Sequence, residues 1–412
     1  MGLLPASKQI DFLNWELGAF FHYGIRTYNE MTDESKGKMN PATFNPTNLD
    51  CEQWIRTIKK AGAKYAVLTA KHHDGFALWQ SECSDYSVKQ SPWKDGRGDV
   101  VKEFTDACRK YDIKVGIYLN PSQWTMDKFT EDEYNDYVVN QIRELLSGYG
   151  VIDYIWFDGA GSETHEYDKE RIVDTIRALQ PGILIFNMWD PDTRWIGNEM
   201  GIAPMSNKNI VNSVGISIYT EKQDLLDGKM FLPGECDTMM ADTLGNWFYN
   251  KSARLRSLDE LMGMYLYTVG RGSNLLINIS PDKEGKICAE YEKAFLDFGE
   301  AIKNLTQNPI LHNENIIYNK NEYILTLNKP TLINTVILGE DYSEEEIECF
   351  EIYVGPDYGN DFQKVFIGET VGHKRICQFP PFWCERIKIV TDEKSDTHKL
   401  KDIMLNYTKL SY

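Results

Sequence analysis

The sequence predicts an α/β barrel of the TIM kind over residues 1–305, followed by an all-β sandwich over residues 306–412. Three observations lead there. Apolar strand-like runs alternate with helical patterns of about 10 to 15 residues, the signature of repeated βαβ units around a parallel sheet. One run, Asp153-Tyr154-Ile155-Trp156-Phe157, stops at Asp158-Gly159. This is a buried strand ending in a turn, with a carboxylate at the rim where barrel enzymes collect catalytic groups. After Glu300 the helical period disappears and short alternating segments separated by turn residues take over, as in a sandwich of roughly 100 residues. A chain of 412 residues accommodates both parts.

In order, residues 17–24 read as a short buried strand ending in His22-Tyr23-Gly24, and the polar segment 27–46, with Pro41 and Pro46, as a long loop. A helix follows from about Leu49, with Asn48 or Asp50 as N-cap and Gly62 at its end. Residues 64–70 form a strand that runs into Lys71-His72-His73-Asp74-Gly75. A helix at 100–110, a strand at 114–119 and a helix at 133–146 lead to the Asp158 strand. Beyond it come a helix at 169–179 and a strand at 183–187. Residues 230–235 and 274–278 are the later barrel strands, with a helix at 257–268 between them. The strand between Asn187 and Met230 has the weakest signal, and one barrel helix is expected to be lost or irregular. In the last hundred residues, strands are expected at 316–318, 322–327, 332–338, 350–354 and 386–390.

Composition narrows the partners. A net charge of −18 argues against nucleic acid or an anionic membrane. No run of about 18 apolar residues occurs to span a bilayer. The start lacks a basic stretch followed by an apolar one, so a cytoplasmic protein is expected, or a secreted or periplasmic one if a leader has been removed. Eight Cys without a Cys-x-x-Cys pair read as reduced, mostly buried thiols.

For chemistry, Asp158 needs a second carboxyl if it is hydrolytic, since glycoside hydrolysis places two carboxyl groups about the scissile bond. Glu199, in Gly197-Asn198-Glu199, and Glu235 and Asp237, in Glu235-Cys236-Asp237, are the candidates; each could instead be a structural acid beside Arg194 or Arg254. His72 and His73, with His22 at another strand end, favour a pocket of hydrogen-bonding groups for hydroxyls. A zinc reading of the same residues needs at least three ligands and a second shell, and neither metal nor cofactor is expected. No Gly-x-Ser-x-Gly elbow and no glycine-rich phosphate loop follows a strand.

The chain resembles α-L-fucosidases of glycoside hydrolase family 29. The matching residues are His22-Tyr-Gly24, Lys71-His72-His73-Asp74-Gly75-Phe76, Ser91-Pro92-Trp93-Lys94 and Trp156-Phe157-Asp158-Gly159. They continue through Arg194-Trp195, Gly197-Asn198-Glu199, Pro233-Gly-Glu235-Cys-Asp237, Gly245-Asn-Trp247 and the block from Val269 to Asp282. The resemblance implies Asp158 as nucleophile. The Gly-Asn-Glu form resembles the subfamily that acts on α-1,3- and α-1,4-linked fucose in branched glycans, implying Glu199 as acid/base. It further implies a fucose pocket lined by His22, His72, His73, Tyr118 and Trp156, with Trp79 or Trp93 against the sugar's apolar side. Arg194, Glu235 and Trp247 complete the expected binding set. Retention would place the two carboxyl groups about 5 to 5.5 Å apart. The implied partner is a fucosylated oligosaccharide or glycoconjugate. Departures occur at Tyr23, where many members carry Trp or Phe, and at 242–247, which concerns the acceptor side.

Overall fold

A computed structural model describes residues 4–29, 39–162, 165–215, 223–242, 247–341, 346–356, 359, 361–392 and 399–409. Eight parallel strands form one sheet: β1 Leu17–Phe21, β2 Tyr65–Lys71, β3 Lys114–Leu119, β4 Tyr154–Phe157, β5 Leu184–Phe186, β6 Arg194–Trp195, β7 Gly234–Met239 and β8 Asn274–Asn278. Their order is β5-β4-β3-β2-β1-β8-β7-β6. One parallel bridge between Phe186 and Thr193 joins the two edges, so the barrel is closed at a single point.

Helices α2 Cys51–Lys60, α3 Val100–Lys110, α4 Glu131–Gly148 and α5 Lys169–Leu179 alternate with β1 to β5. Each starts at an Asp or Thr whose side chain accepts from a first-turn N–H: Asp50, Asp99, Thr130 and Asp168. Helix α6 Leu258–Thr268, capped by Ser257, joins β7 to β8, and α7 Ala289–Thr306 follows β8. The helical alternation fails twice rather than once. Between β5 and β6 the chain turns through residues 187–193, with Asn187 and Trp189 at φ 62° and 64°. It returns to donate both Asp192 N and Thr193 N to the Ile185 carbonyl. A parallel pair ordinarily needs a crossover of a dozen residues or more, and the shortness of this one explains the single closing bridge. Between β6 and β7 the described residues hold an antiparallel ribbon, Ile210–Gly215 with Gln223–Phe231, and no helix. The strand expected at 230–235 is therefore displaced. Met230 and Phe231 end the ribbon, and the barrel strand begins only after Pro233, which has no N–H to give to a ladder.

Successive residues of each strand face opposite ways. Phe20, Tyr65, Val67, Tyr118, Tyr154, Trp156, Leu184, Phe186 and Leu276 form the inner cluster, with Trp195 against it. The other parity packs on the helices. Gly18 leaves room for the Tyr65 ring, which a Cβ there would meet at 2.4 Å. The bottom of the barrel is closed by α1 Ser7–Leu13, whose Phe12 packs on Trp15, Tyr65 and Tyr154. Interior packing and a sealed floor leave only the carboxyl ends of the strands open for a site.

The C-terminal strands are β9 Leu311–His312, β10 Ile316–Asn319, β11 Glu322–Glu340, β12 Phe350–Gly355, β13 Gln363–Gly368, β14 Arg375–Thr391 and β15 Leu400–Asn406. Their pairing is antiparallel, in the order β9-β15-β11-β14-β12-β13 with β10 on β11. Segments read separately in the sequence at 322–327 and 332–338 are one strand, broken by register shifts after Thr326 and Ile333. These shifts let β11 and β14 serve both layers of the sandwich. The sandwich has its own core, yet Ile337 and Ile376 belong to the barrel's. It also grips the barrel through polar contacts: Asn207 N donates to Thr370 Oγ1 (3.1 Å) and Arg375 Nη1 to the Met205 carbonyl (2.9 Å). All eight cysteines are free, most of them buried. Among the described residues no helix is long and apolar enough to cross a membrane.

Candidate active site

The rim is built by extending the inner parity of each strand by one more step: Phe20 to His22, Tyr118 to Asn120, Trp156 to Asp158, Glu235 to Asp237 and Leu276 to Asn278. A bulge between Thr69 and Lys71 shifts the register of β2, and the chain leaves the strand there, so both His72 and His73 reach the rim.

Asp158 is held by three donors. Tyr118 Oη lies 2.6 Å from Oδ2, the Ala160 N–H lies 2.9 Å from Oδ1, and His73 Nε2 approaches Oδ2 at 3.5 Å. A protonated carboxyl would also need an acceptor for its own hydrogen; three donors suit a carboxylate.

The histidine tautomers follow from their partners. The His22 backbone N–H donates to Asn278 Oδ1, which fixes that amide's orientation, so His22 Nδ1 carries the hydrogen it gives to the same oxygen at 2.9 Å. Burial pushes His22 down to about 3, against the pull of Asn278, leaving it neutral with a lone pair on Nε2. Arg26 Nη1 can only donate, so His72 Nδ1 accepts at 3.1 Å and its hydrogen sits on Nε2. Burial and then the neighbouring His73 hold His72 well below the usual range. The Ser122 N–H fixes Asn120 in the same way, so Asn120 Nδ2 donates to His73 Nδ1 (2.8 Å) and the His73 hydrogen points toward Asp158. His72, His73 and Asp158 offer ligand atoms within 4.8 Å of one another. At both histidines a cation would meet an N–H group instead of a lone pair, with the Arg26 guanidinium beside them, which leaves Asp158 as the one ligand, so the donor set does not fit a metal.

Aromatic rings complete the bowl. Trp247 stacks on His22 at 4.9 Å, and its carbonyl accepts from Asn278 Nδ2 (2.6 Å). Tyr118 lies parallel to His72 on one side and to Trp156 on the other, and Trp156 stacks in turn on Phe186 at 4.1 Å. Glu199 stands on the loop after β6. Burial, and next the charge of Asp158, lift its carboxyl to about 7.

Four residues expected in the binding set are elsewhere. Trp79 is 1% exposed and donates from Nε1 to Glu144 on α4 (2.8 Å); Trp93 is buried likewise. Both indoles pack the loop after β2 against the helix layer, so neither presents a face to a sugar. Arg194 has the opposite parity to Trp195 and turns outward, giving Nη2 to Asn207 Oδ1 and the Lys208 carbonyl. Glu235 is 0% exposed, one layer below the rim, where it accepts from Tyr65 Oη (2.6 Å), Trp156 Nε1 (2.8 Å) and Tyr154 Oη (3.3 Å). It supports Trp156 from beneath and cannot meet a ligand without rearrangement. Arg254 pairs with Glu260 and Asp242, away from these acids. Of residues 242–247, where the sequence departs from its relatives, 243–246 lie outside the described residues.

Sequence reading passed over Arg26, Asn120, Trp195 and Asn278 as site residues. Arg26 is buried, with its guanidinium over Phe248 at 4.8 Å. Asn120, Asn278 and Asp237 share a signal, each standing two residues beyond an inner-face residue.

A sequence profile of the family described as Alpha-L-fucosidase matches residues 7–306. Alpha-L-fucosidase 1 of Arabidopsis thaliana is 32% identical, over 91% of this chain and 82% of its own length. A crystal structure of a glycoside hydrolase 29 family member from an unknown rumen bacterium superposes with a TM-score of 0.87, at 30% identity, covering 100% of this chain and 78% of that one. A Ruminococcus gnavus fucosidase of the same hydrolase family, in complex with fucose, gives 0.83 at 25% identity, covering 98% and 93%.

Proposed function

The chain belongs to the α-L-fucosidase family and is a glycoside hydrolase, and on that premise we propose that it releases terminal α-1,3- or α-1,4-linked L-fucose from branched glycans by a retaining double displacement. Asp158 attacks the anomeric carbon while Glu199 gives its proton to the leaving oxygen. Glu199 then takes a proton from water, whose oxygen displaces Asp158 and frees the sugar. One observation carries the assignment of roles: two rim carboxyls stand in opposite environments. Asp158 accepts from Tyr118, Ala160 and His73, the setting of an ionised nucleophile. Glu199 is held protonated up to about 7 by burial and by Asp158 itself, as a general acid requires. The His72 N–H and the His22 lone pair supply a donor and an acceptor for sugar hydroxyls, and the Trp247 ring lies beside them. The linkage preference draws its support from the Gly197-Asn198-Glu199 and Pro233-Gly-Glu235-Cys-Asp237 motifs.

The test is fucose release from a trisaccharide with α-1,3/4-fucose on N-acetylglucosamine, from one with α-1,2-fucose on galactose, and from an aryl fucoside, with the anomer first formed read by proton NMR. Release confined to the α-1,3/4 compound with α-fucose appearing first is the expected result. Ready cleavage of all three would replace the linkage preference with broad specificity. β-Fucose appearing first would overturn the double displacement.

A further inference from the structure

Strand β6 is two residues long, yet the loop that bears Glu199 departs from it. Its main chain is held by Arg194 N on the Pro233 carbonyl and Ile196 N on the Glu235 carbonyl, both 3.0 Å. Trp195 N donates to Asn187 Oδ1 (3.0 Å). The far end of the loop is pinned to α6, where Thr268 Oγ1 donates to the Gly201 carbonyl (2.6 Å) and Ala203 N to the Tyr267 carbonyl (2.8 Å). At the near end one side-chain contact stands out. Trp195 Nε1 donates to Asp237 Oδ1 at 2.8 Å, and Asp237 is 4% exposed on β7.

We infer that Asp237 is a positioning residue for Glu199: by fixing the Trp195 indole it sets where the acid-bearing loop leaves the barrel and so aligns the proton with the leaving oxygen. This rests on Glu199 being the acid. A buried carboxyl kept only for packing would be an expensive choice at this position, because an apolar side chain would fill the space without desolvating an acid. Burial, and then the charge of Glu199, hold Asp237 well above the ordinary carboxylate range. As a neutral acid it accepts from Trp195 without adding a charge that would oppose ionisation of Glu199 in the second half of the reaction. Asn reproduces that neutral acceptor; Ala does not.

A positioning fault in a general acid costs more for leaving groups that need the proton. The experiment compares kcat/KM of Asp237→Ala, Asp237→Asn and Glu199→Ala on an α-1,3/4-fucosylated trisaccharide and on α-L-fucosyl fluoride, whose fluoride leaves without protonation. Expected for Asp237→Ala is a loss of about 100-fold on the trisaccharide, at the low end of a general acid's contribution, with less than about threefold lost on the fluoride, and recovery of most of the trisaccharide activity in Asp237→Asn. Equal losses on both substrates, no loss in the Ala variant, or no recovery in the Asn variant would overturn the inference while leaving Glu199 in place. A Glu199→Ala enzyme with no such leaving-group dependence would overturn the acid assignment and this inference with it.

Discussion

The Tyr118 hydroxyl sits 2.6 Å from Asp158 Oδ2, and its ring is stacked between His72 and Trp156. One tyrosine thus joins the carboxylate to two walls of the pocket. The orientation of Asp158 depends on a stack that continues down to Glu235 through the Trp156 N–H.

Tyr118→Phe keeps the stack and removes the hydrogen bond. A misplaced reacting group costs up to about 100-fold in rate, so kcat should fall by roughly 10- to 100-fold, and the lost hydrogen bond should lower stability by about 1.5 to 3 kcal/mol. Unchanged kcat would show that the Ala160 and His73 donors suffice to aim the carboxylate.

The pH profile should lose its alkaline side early. Glu199 is lifted to about 7 and acts as acid only when protonated, so kcat/KM is retained below that value and falls as pH rises through it. Glu199→Gln, assayed on a fucoside with an activated leaving group, should abolish that limb. A limb that persists near 7 in the variant would belong to another group.

How far these features were legible in the sequence depends on what fixes them. Helices α2 to α6 were readable because an apolar face, and for α2 the Asp50 cap, are local signals; the caps Asp168 and Ser257 appear only in the structure. Asp158 was readable for the same reason, a strand followed by Asp-Gly. The strand after the ribbon was misplaced because Met230 and Phe231 are as strand-like as Cys236 and Thr238, and only pairing partners distinguish them. Trp79, Trp93 and Arg194 were assigned to the pocket because an indole or a guanidinium near a motif carries no mark of the direction it faces. Parity did carry such a mark. Asn278, two residues past inward Leu276, holds both His22 and Trp247; counting from Leu276 gives its place on the inner face, a step the sequence reading did not take.

Trp79→Phe tests the outward placement of that ring. It should lose the bond to Glu144, which also accepts from Ser81 and from the Glu82 N–H. The fold should be destabilised by about 1 kcal/mol, a typical net figure for one hydrogen bond, with KM and kcat unchanged. A rise in KM without a stability change would return the indole to the binding surface.

Glu235 gives the last prediction, because its burial is complete and its charge is conditional. Burial lifts the carboxyl to about 7 against the opposing pull of Tyr65, Trp156 and Tyr154. In the unfolded chain a glutamate titrates near 4.3. Below that value the group is protonated in both states, and its contribution to stability is complete. From there up to 7 the unfolded chain gives up its proton while the folded one keeps it, so stability falls across that window, by up to roughly 3 kcal/mol, and levels off once the folded protein also holds the carboxylate that burial disfavours. Glu235→Gln mimics the protonated form: its Oε1 can accept from Trp156 and Tyr154 while its amide donates to Tyr65. Urea midpoints at pH 5 and pH 8 should therefore fall further for the native chain than for Glu235→Gln. The carboxyl of Asp237 is raised by burial and by Glu199, and to a smaller extent by the charge of Glu235 itself, so the difference between the two proteins includes that coupling. Equal falls would mean that the three donors keep Glu235 ionised throughout, and that the layer beneath Trp156 is held by a charge rather than by a neutral acid.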